Sequence, residues 1–373
     1  VFARTDKSLF GQWWWTIDRW TFAVLTILLA LGGILNMATS PLMAERFNLH
    51  SFYFAQRHVI VLIPSFFILV SVSFLPPPHI RRLAVLAFCA GIVLLILVPF
   101  IGVEIKGARR WISLGGFSLQ PSEFIKPSFA VIVAWLFTDK MTLFSISGHI
   151  LAFIAYGVVM GLLLTQPDLG MSFMVSAVFF AQFFMMGLSF QWILMGGVSG
   201  ILALWGAYFL FPHVASRIDR FLDPSAGDCY QVNRSLQAFM NGGFMGRGPG
   251  EGVVKKSLPD AHADFVFAVI GEEFGFILCL IIVLMFAFVV LRSFSRIFRE
   301  TNLFIIVSVT GLITQFGLQA LINMASALHL IPTKGMTLPF ISYGGSSMLA
   351  LALGMGMLLG LTRRRVQGGR VHI

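Results

Sequence analysis

Charge is scarce in this chain. Of its 373 residues only 11% are Asp, Glu, Lys or Arg, against about 25% in soluble proteins. Hydrophobic residues make up 57% and fall in solid runs rather than in strict alternation. That pattern excludes a soluble globular domain and a strand barrel, and leaves an all-α integral membrane protein. Cysteine is scarce too. Cys89, Cys229 and Cys279 have neither disulfide nor metal-ligand spacing, and Cys89 and Cys279 lie in apolar runs as packing residues. Acids number 16 against 26 bases, a net charge of +10. In so apolar a chain this surplus points to anionic headgroups or a phosphate-bearing substrate, not to nucleic acid. No cleavable signal peptide, internal repeat or inverted pair of broken helices is legible.

What is present is a series of membrane spans. A helix crosses the hydrocarbon with about 20 residues. Ten stretches qualify: 21–39, 56–75, 83–102, 123–138, 148–165, 170–187, 190–211, 265–291, 303–326 and 338–361. They predict one polytopic domain over 1–373, with an N-terminal segment 1–20, an outer loop 103–122, one long outer loop 212–264 between the seventh and eighth spans, and a tail 362–373. Gln12-Trp-Trp-Trp15 reads as an interfacial aromatic anchor. Half of the 26 bases fall on the side of the termini, but only Asp6, Asp18, Asp139 and Glu300 of the 16 acids do. Short loops near span ends weigh most in the positive-inside rule, so both termini are expected in the cytoplasm. The other side holds bases that the rule does not favour, which implies that something there needs them.

Three outer segments concentrate the polar residues. In the first, Arg109 and Arg110 offer forked donors for phosphate oxygens. Trp111 stacks on a sugar face or anchors at the interface. Glu123 and Lys126, three apart, form an ion pair, unless Lys126 faces a phosphate. The second, 212–264, carries Arg217, Arg220, Arg234, Arg247, Lys255 and Lys256 and a glycine-rich run, Gly242 to Gly252. That run lacks a Walker ending, so it either wraps a phosphate with amides or turns tightly. The third holds Lys334 and Tyr343-Gly-Gly-Ser-Ser347, whose Ser346 and Ser347 cap a helix or donate hydroxyls. A short turn containing Asp168 lies on the same side.

Asp264 stands where the long loop meets an apolar run. It is either a general base whose pKa is raised by partial desolvation or a helix N-cap, and the two roles are compatible. Gly271 and Gly275 share its helical stripe, giving a close helix contact or, less simply, a groove for a lipid chain. Glu272 and Glu273, inside the apolar run, call for a basic group or a polar helix end, and either is structural or carries a proton.

Taken in order, Gly107-Ala-Arg-Arg-Trp-Ile112, Gln120-Pro-Ser-Glu123 with Lys126, Gln166-Pro-Asp-Leu-Gly170, Asp223-Pro224, Tyr230-Gln231, Ser235-Leu236, Leu258-Pro-Asp-Ala-His-Ala-Asp-Phe265, Gly271-Glu-Glu273 and Leu338-Pro-Phe-Ile-Ser-Tyr-Gly-Gly-Ser-Ser347 resemble the SEDS family (shape, elongation, division and sporulation). The resemblance runs from the first span to the last. Pro332-Thr-Lys-Gly335, Thr337-Leu-Pro339 and Gly271-Glu-Glu273 look like its division branch more than its elongation branch. It implies a ten-helix peptidoglycan glycosyltransferase of the bacterial inner membrane. Such an enzyme polymerises lipid II on the outer face at the septum, with a class B penicillin-binding transpeptidase and other division proteins.

The family's essential Asp falls on Asp264 and its important loop Trp on Trp111. Asp260 stands where the family has Glu, and Ala263 where it has Thr, so a helper role for that hydroxyl is not general. On this reading Asp264 takes the proton of the acceptor's 4-hydroxyl. The candidate contacts to pyrophosphate and sugar are Arg109, Arg110, Trp111, Lys126, Arg234, Lys256, Lys334, Ser346 and Ser347. Glu123, Asp168, His262, Glu272 and Glu273 are candidate supporting groups. No metal cage is legible, so no cofactor is assigned beyond a divalent cation, Mg or Mn, held partly by substrate. The alternatives are a lipid II flippase without bond chemistry, which would place its charges nearer the midplane, and a recruiting scaffold, which leaves the polar outer loops unexplained.

Overall fold

In a computed structural model the chain is a mostly helical, multi-span membrane protein. The structure describes residues 8–46, 48, 50–105, 108–115, 117–138, 147–187, 190–210, 215, 219, 230–258, 260–332 and 335–364. Each predicted span coincides with a helix: α2 (Arg19–Arg46), α3 (Tyr53–Ser73), α4 (Pro77–Ile101), α5 (Pro121–Thr138), α6 (Gly148–Thr165), α7 (Leu169–Met185), α8 (Phe190–Leu210), α10 (Val266–Ile297), α11 (Leu303–Ala327) and α12 (Gly345–Leu361). Among the described residues six of these, α2, α3, α4, α6, α10 and α11, are long and apolar enough to cross a membrane by themselves; α7 and α12 are apolar but shorter. Helices α5, α11 and α12 form the centre, buried along most of their lengths. Helix α12 packs on α3 and α5, α4 and α11 pack on α5, and α10 packs on α11.

The all-α expectation needs correcting in the outer segments. Three short strands, β1 (Val103–Ile105), β2 (Ala108–Leu114) and β3 (Phe117–Leu119), form an antiparallel meander. Alternating β-branched and aromatic residues favour strands there, and Gly115 (φ 54°) supplies the left-handed residue between β2 and β3. The long loop is also partly folded. It contains α9 (Tyr230–Gly242) and a 3₁₀ turn, Val254–Ser257.

A short helix, α1 (Leu9–Thr16), precedes the first span. Its Trp13 packs into protein rather than into an interface: the indole stacks on Phe74 at 4.8 Å and donates to the Ser73 hydroxyl at 2.8 Å. Beside it, buried Asp18 accepts from Arg292 and Arg296, each at 2.8 Å. Arg296 also donates to the Thr362 carbonyl, and Arg363 to Thr16 and Phe74. The end of α1, the start of α2 and the ends of α3, α10 and α12 are thus tied together at one end of the bundle. Burial by itself would raise the Asp18 carboxyl; the Arg292 hydrogen bond and the Arg296 charge outweigh it and hold it below the ordinary range. Asp18→Asn should destabilise the protein by about 2–3 kcal/mol. That is less than the roughly 3–5 for a fully buried pair, because both arginines reach solvent. The depressed pKa fixes the sign with pH. This stabilisation is complete above the ordinary carboxylate pKa and is lost as pH falls through the lower native value. Thermal unfolding in detergent across that acid range should show a stability difference between wild type and Asp18→Asn that shrinks as the pH falls.

Candidate functional site

At the opposite end, Asp264 closes a run of turns that begins after Leu258. Its amide and that of Ala263 donate back to the Asp260 carbonyl, with Asp260 in the left-handed region (φ 50°). Phe265, not Asp264, occupies the N-cap position of α10. The turns are fixed from outside by neighbouring elements. Asn323 of α11 donates both to the Asp264 carbonyl (3.0 Å) and to the Met336 carbonyl (2.6 Å). Ser342 donates to the Ala263 carbonyl (2.6 Å) and accepts from the Leu338 amide (2.8 Å). The Tyr343 amide donates to the His262 carbonyl. Gly335 (φ 63°) brings its backbone close to the Asp264 carboxylate, so that an added Cβ would lie 3.4 Å from Oδ2. The segments 260–265 and 335–343 therefore form one clamp, with the half-buried Asp264 at its edge.

One turn along α11 from Asn323, Gln319 faces the same way. It accepts from Lys126 Nζ at 3.0 Å and donates to the Thr337 carbonyl and hydroxyl and to Ser347. Lys126 also pairs with Glu123 at 2.9 Å, both side chains buried. The Ser347 and Thr337 hydroxyls are hydrogen-bonded to each other at 2.8 Å. Ser346 donates to the Ser118 carbonyl and accepts from the Gln120 amide, tying β3 to α12. Gly344 is the N-cap of α12, without a side-chain cap bond. Glu123, Lys126, Gln319, Thr337 and Ser347 thus form an internal network bordering the clamp, and Ser346 makes a separate tie between β3 and α12. Sequence reading missed Gln319 and Asn323. The signal was there: with Gln315 they recur every fourth residue in an apolar run, and polar groups inside a span are costly.

It also missed Arg57, whose guanidinium stacks over Tyr53 at 4.8 Å and whose charge acts on the Tyr343 hydroxyl. Burial pushes that hydroxyl up, against the pull of Arg57. The His262 ring lies 5.4 Å from Tyr343 and 5.6 Å from Phe54. Arg57 is therefore a cation next to the Asp264 clamp, brought there from some 200 residues away in sequence.

Other candidates sit elsewhere. Along β2, Arg109 pairs with exposed Glu104 at 3.6 Å and reaches the Pro99 carbonyl. Arg110 donates to the Gln166 and Pro167 carbonyls and pairs with Asp168 at 3.8 Å. Asp168 caps α7 by accepting from the Met171 amide. Arg110 and Asp168 thus fasten the meander to the turn before α7. Trp111 is half-buried, opposite Val103 in the strand pair. Arg234 stacks over Tyr230 and donates to Gln237 on α9. Lys256 is exposed in the 3₁₀ turn. Lys334 lies outside the described residues.

Glu272 and Glu273 serve the long loop. The Glu272 carboxylate accepts from the amides of Val253, Val254 and Lys255 at 2.7–2.8 Å, and Glu273 pairs with buried Lys255. Helix α10 is broken at Gly275 (φ 75°). Arg247 and Gly248 amides donate to the Glu272 and Glu273 carbonyls, while Phe276 and Ile277 amides donate to Gly243 and Phe244. The glycine-rich run thus takes up the backbone groups that the break exposes. A Cβ on Gly246 would meet the Glu273 carbonyl oxygen at 2.2 Å, and one on Gly242 the Gly271 carbonyl oxygen at 1.9 Å. Gly271 and Gly275 make close contacts with this loop, leaving no groove for a lipid chain at those two positions. Among the described residues no three His, Cys, Asp or Glu side chains gather as a metal cage.

A family model described as "Cell cycle protein", spanning FtsW, RodA and SpoVE, matches residues 18–367. The probable peptidoglycan glycosyltransferase FtsW of Caulobacter vibrioides is 44% identical over 367 residues, covering 98% of this chain and 94% of that protein. The protein of the same description from Trichlorobacter lovleyi is 36% identical over 357 residues, 91% of each. A chain from a solved structure titled "Structural coordination of polymerization and crosslinking by a peptidoglycan synthase complex" superposes with a TM-score of 0.76 at 27% identity, over 93% of this chain and 97% of that one. The rod shape determining protein RodA of Thermus thermophilus shares the fold, with a TM-score of 0.68 at 24% identity over 94% and 97% of the two chains.

The Lys126 network has a testable energetic consequence. Lys126→Met leaves the Glu123 charge buried without a counter-ion and should cost roughly 3–5 kcal/mol. Adding Glu123→Gln should restore more than half of that. Thermal unfolding of the two single variants and the double variant measures the coupling. A Lys126→Met protein as stable as wild type would show that the pair does not hold the fold.

Proposed function

Because the chain belongs to the family of FtsW, RodA and SpoVE cell cycle proteins, the SEDS family, we propose that it is a peptidoglycan glycosyltransferase that polymerises lipid II during cell division. The observation that carries the site assignment is the clamp at Asp264. Its backbone is held by Asn323, Ser342 and Tyr343, so the carboxylate is positioned before substrate arrives. In the proposed step Asp264 takes the proton of the acceptor's 4-hydroxyl as that oxygen attacks the donor's anomeric carbon. The bond from that carbon to the pyrophosphate oxygen breaks with inversion, giving a β-1,4 linkage. The polyprenyl pyrophosphate leaves with the electron pair, and its charge needs cations.

Arg57 is the cation nearest the clamp among the contacts described above, and Arg109 and Lys334 are further candidates. Lys126, locked in its ion pair, acts on this reading by holding Gln319 and Thr337 in place. A divalent cation, Mg or Mn, would be carried with the pyrophosphate. The ten helices coinciding with the predicted spans support a ten-span topology with both termini in the cytoplasm, which puts Asp264 on the outer face of the inner membrane. The solved peptidoglycan synthase complex, titled for polymerization and crosslinking, supports a class B transpeptidase partner.

The test is polymerisation of purified lipid II by the protein with its transpeptidase partner. Asp264→Asn should lose about 10²–10⁴-fold in rate, the size of a general-base contribution, while keeping wild-type unfolding temperature and complex formation. An unchanged rate would remove Asp264 from the chemistry. Absence of polymer from wild type, with lipid II crossing vesicle membranes, would make the protein a flippase.

A further inference from the structure

Helix α9 and the turn that follows it carry apolar side chains that no other part of the described chain covers. Ser235, Ala238 and Gly242 face inward. Met240, Phe244 and Met245 are 82%, 75% and 79% exposed. Three such residues together form an unusual patch for a soluble surface. Their level relative to the spans decides what meets them. The turn is hydrogen-bonded to α10 at residues 272–277. Counted back from Arg292, at the end of the bundle that holds Asp18, the unbroken part of α10 reaches Phe276 after 16 residues, about 24 Å at roughly 1.5 Å each against a ~30 Å hydrocarbon, so the break and the turn paired with it fall where the span nears its far boundary. The patch therefore lies at the membrane boundary of the Asp264 end, not above it. It is also continuous with a lipid-facing surface. The Phe244 ring meets Phe276 edge-on at 6.1 Å, and Phe276, Ile277 and Leu280 are exposed along the span. Polar groups flank it as they do on interfacial helices: Arg247 is tied to Asn241, and Arg234 stacks on Tyr230.

We propose that α9 and the turn 243–248 form a wedge inserted into the lipid leaflet at the Asp264 end, with Met240, Phe244 and Met245 among the acyl chains. The occupant of this surface is phospholipid. The backbone pairing with the broken helix transmits the wedge's depth to α10, the helix that starts beside Asp264.

The test places the photoreactive amino acid p-benzoylphenylalanine at Phe244 or Met245 in the full chain, in nanodiscs of phosphatidylethanolamine and phosphatidylglycerol. Adducts are identified by mass spectrometry. Leu280, exposed on the span, is the lipid-facing reference, and Glu251, exposed in the glycine-rich run, the water-facing one. Acyl-chain adducts at 244 and 245 comparable in yield to Leu280, and several-fold above Glu251, are expected. Lipid adducts at Leu280 with none at 244 and 245 would overturn the proposal. So would adducts at these positions in native membranes formed with a second protein and not with lipid, which would make the patch a protein-docking surface.

Discussion

A backbone that turns in an apolar setting must satisfy its amides and carbonyls from within the protein, because hydrocarbon offers no partner. The Asp264 end of this molecule is built on that constraint. The segments 260–265 and 335–343 and the break in α10 are all irregular, and each is stitched by specific groups. Asn323 holds two carbonyls from two different segments. Gln319 spans Lys126, Thr337 and Ser347. Glu272 collects three successive amides. Amide side chains suit this task because each offers donors and an acceptor on one short stem.

The charges divide along the same line. Several that stand out in the sequence are occupied by the fold itself. Arg110 fastens the meander to the turn before α7, Lys126 neutralises Glu123, Lys255 neutralises Glu273, and Arg292 with Arg296 surrounds Asp18. Buried ions are retained only when paired, so each occupied charge fixes the relative placement of two elements. The fastening at Asp18 and the clamp at Asp264 lie at opposite ends of α10, and Gly275 interrupts that helix between them. The helix thus has one anchored half at each end and a break whose backbone groups are completed by the long loop.

Much of this was legible in the residues. The apolar runs located ten of the twelve helices described, missing α1 and α9, since span length and hydrocarbon thickness are tied, and the motif from Leu258 to Phe265 marked the turn that carries Asp264. Glu272 and Glu273 were marked as carboxylates in need of partners by their place in an apolar run. The meander of β1 to β3 was not foreseen, because strands of three to seven residues are too short to stand out against long helical runs. The glycine-rich run left two readings open, a phosphate cradle or a tight turn, because glycine reports that backbone comes close without saying to what. Here the partner is the backbone of α10.

The sequence by itself determined the class of molecule, the places of its apolar helices, and the resemblance that runs their whole length. These depend on local composition and order, which a linear reading preserves. Only the tertiary structure decided which cations are spent on the fold, that Arg57 lies by Tyr343 of the clamp, and that Gln319 and Asn323 hold the clamp. Those facts depend on pairings between residues up to about 300 positions apart, and the energy of a buried charge or amide is set by the neighbour that folding supplies.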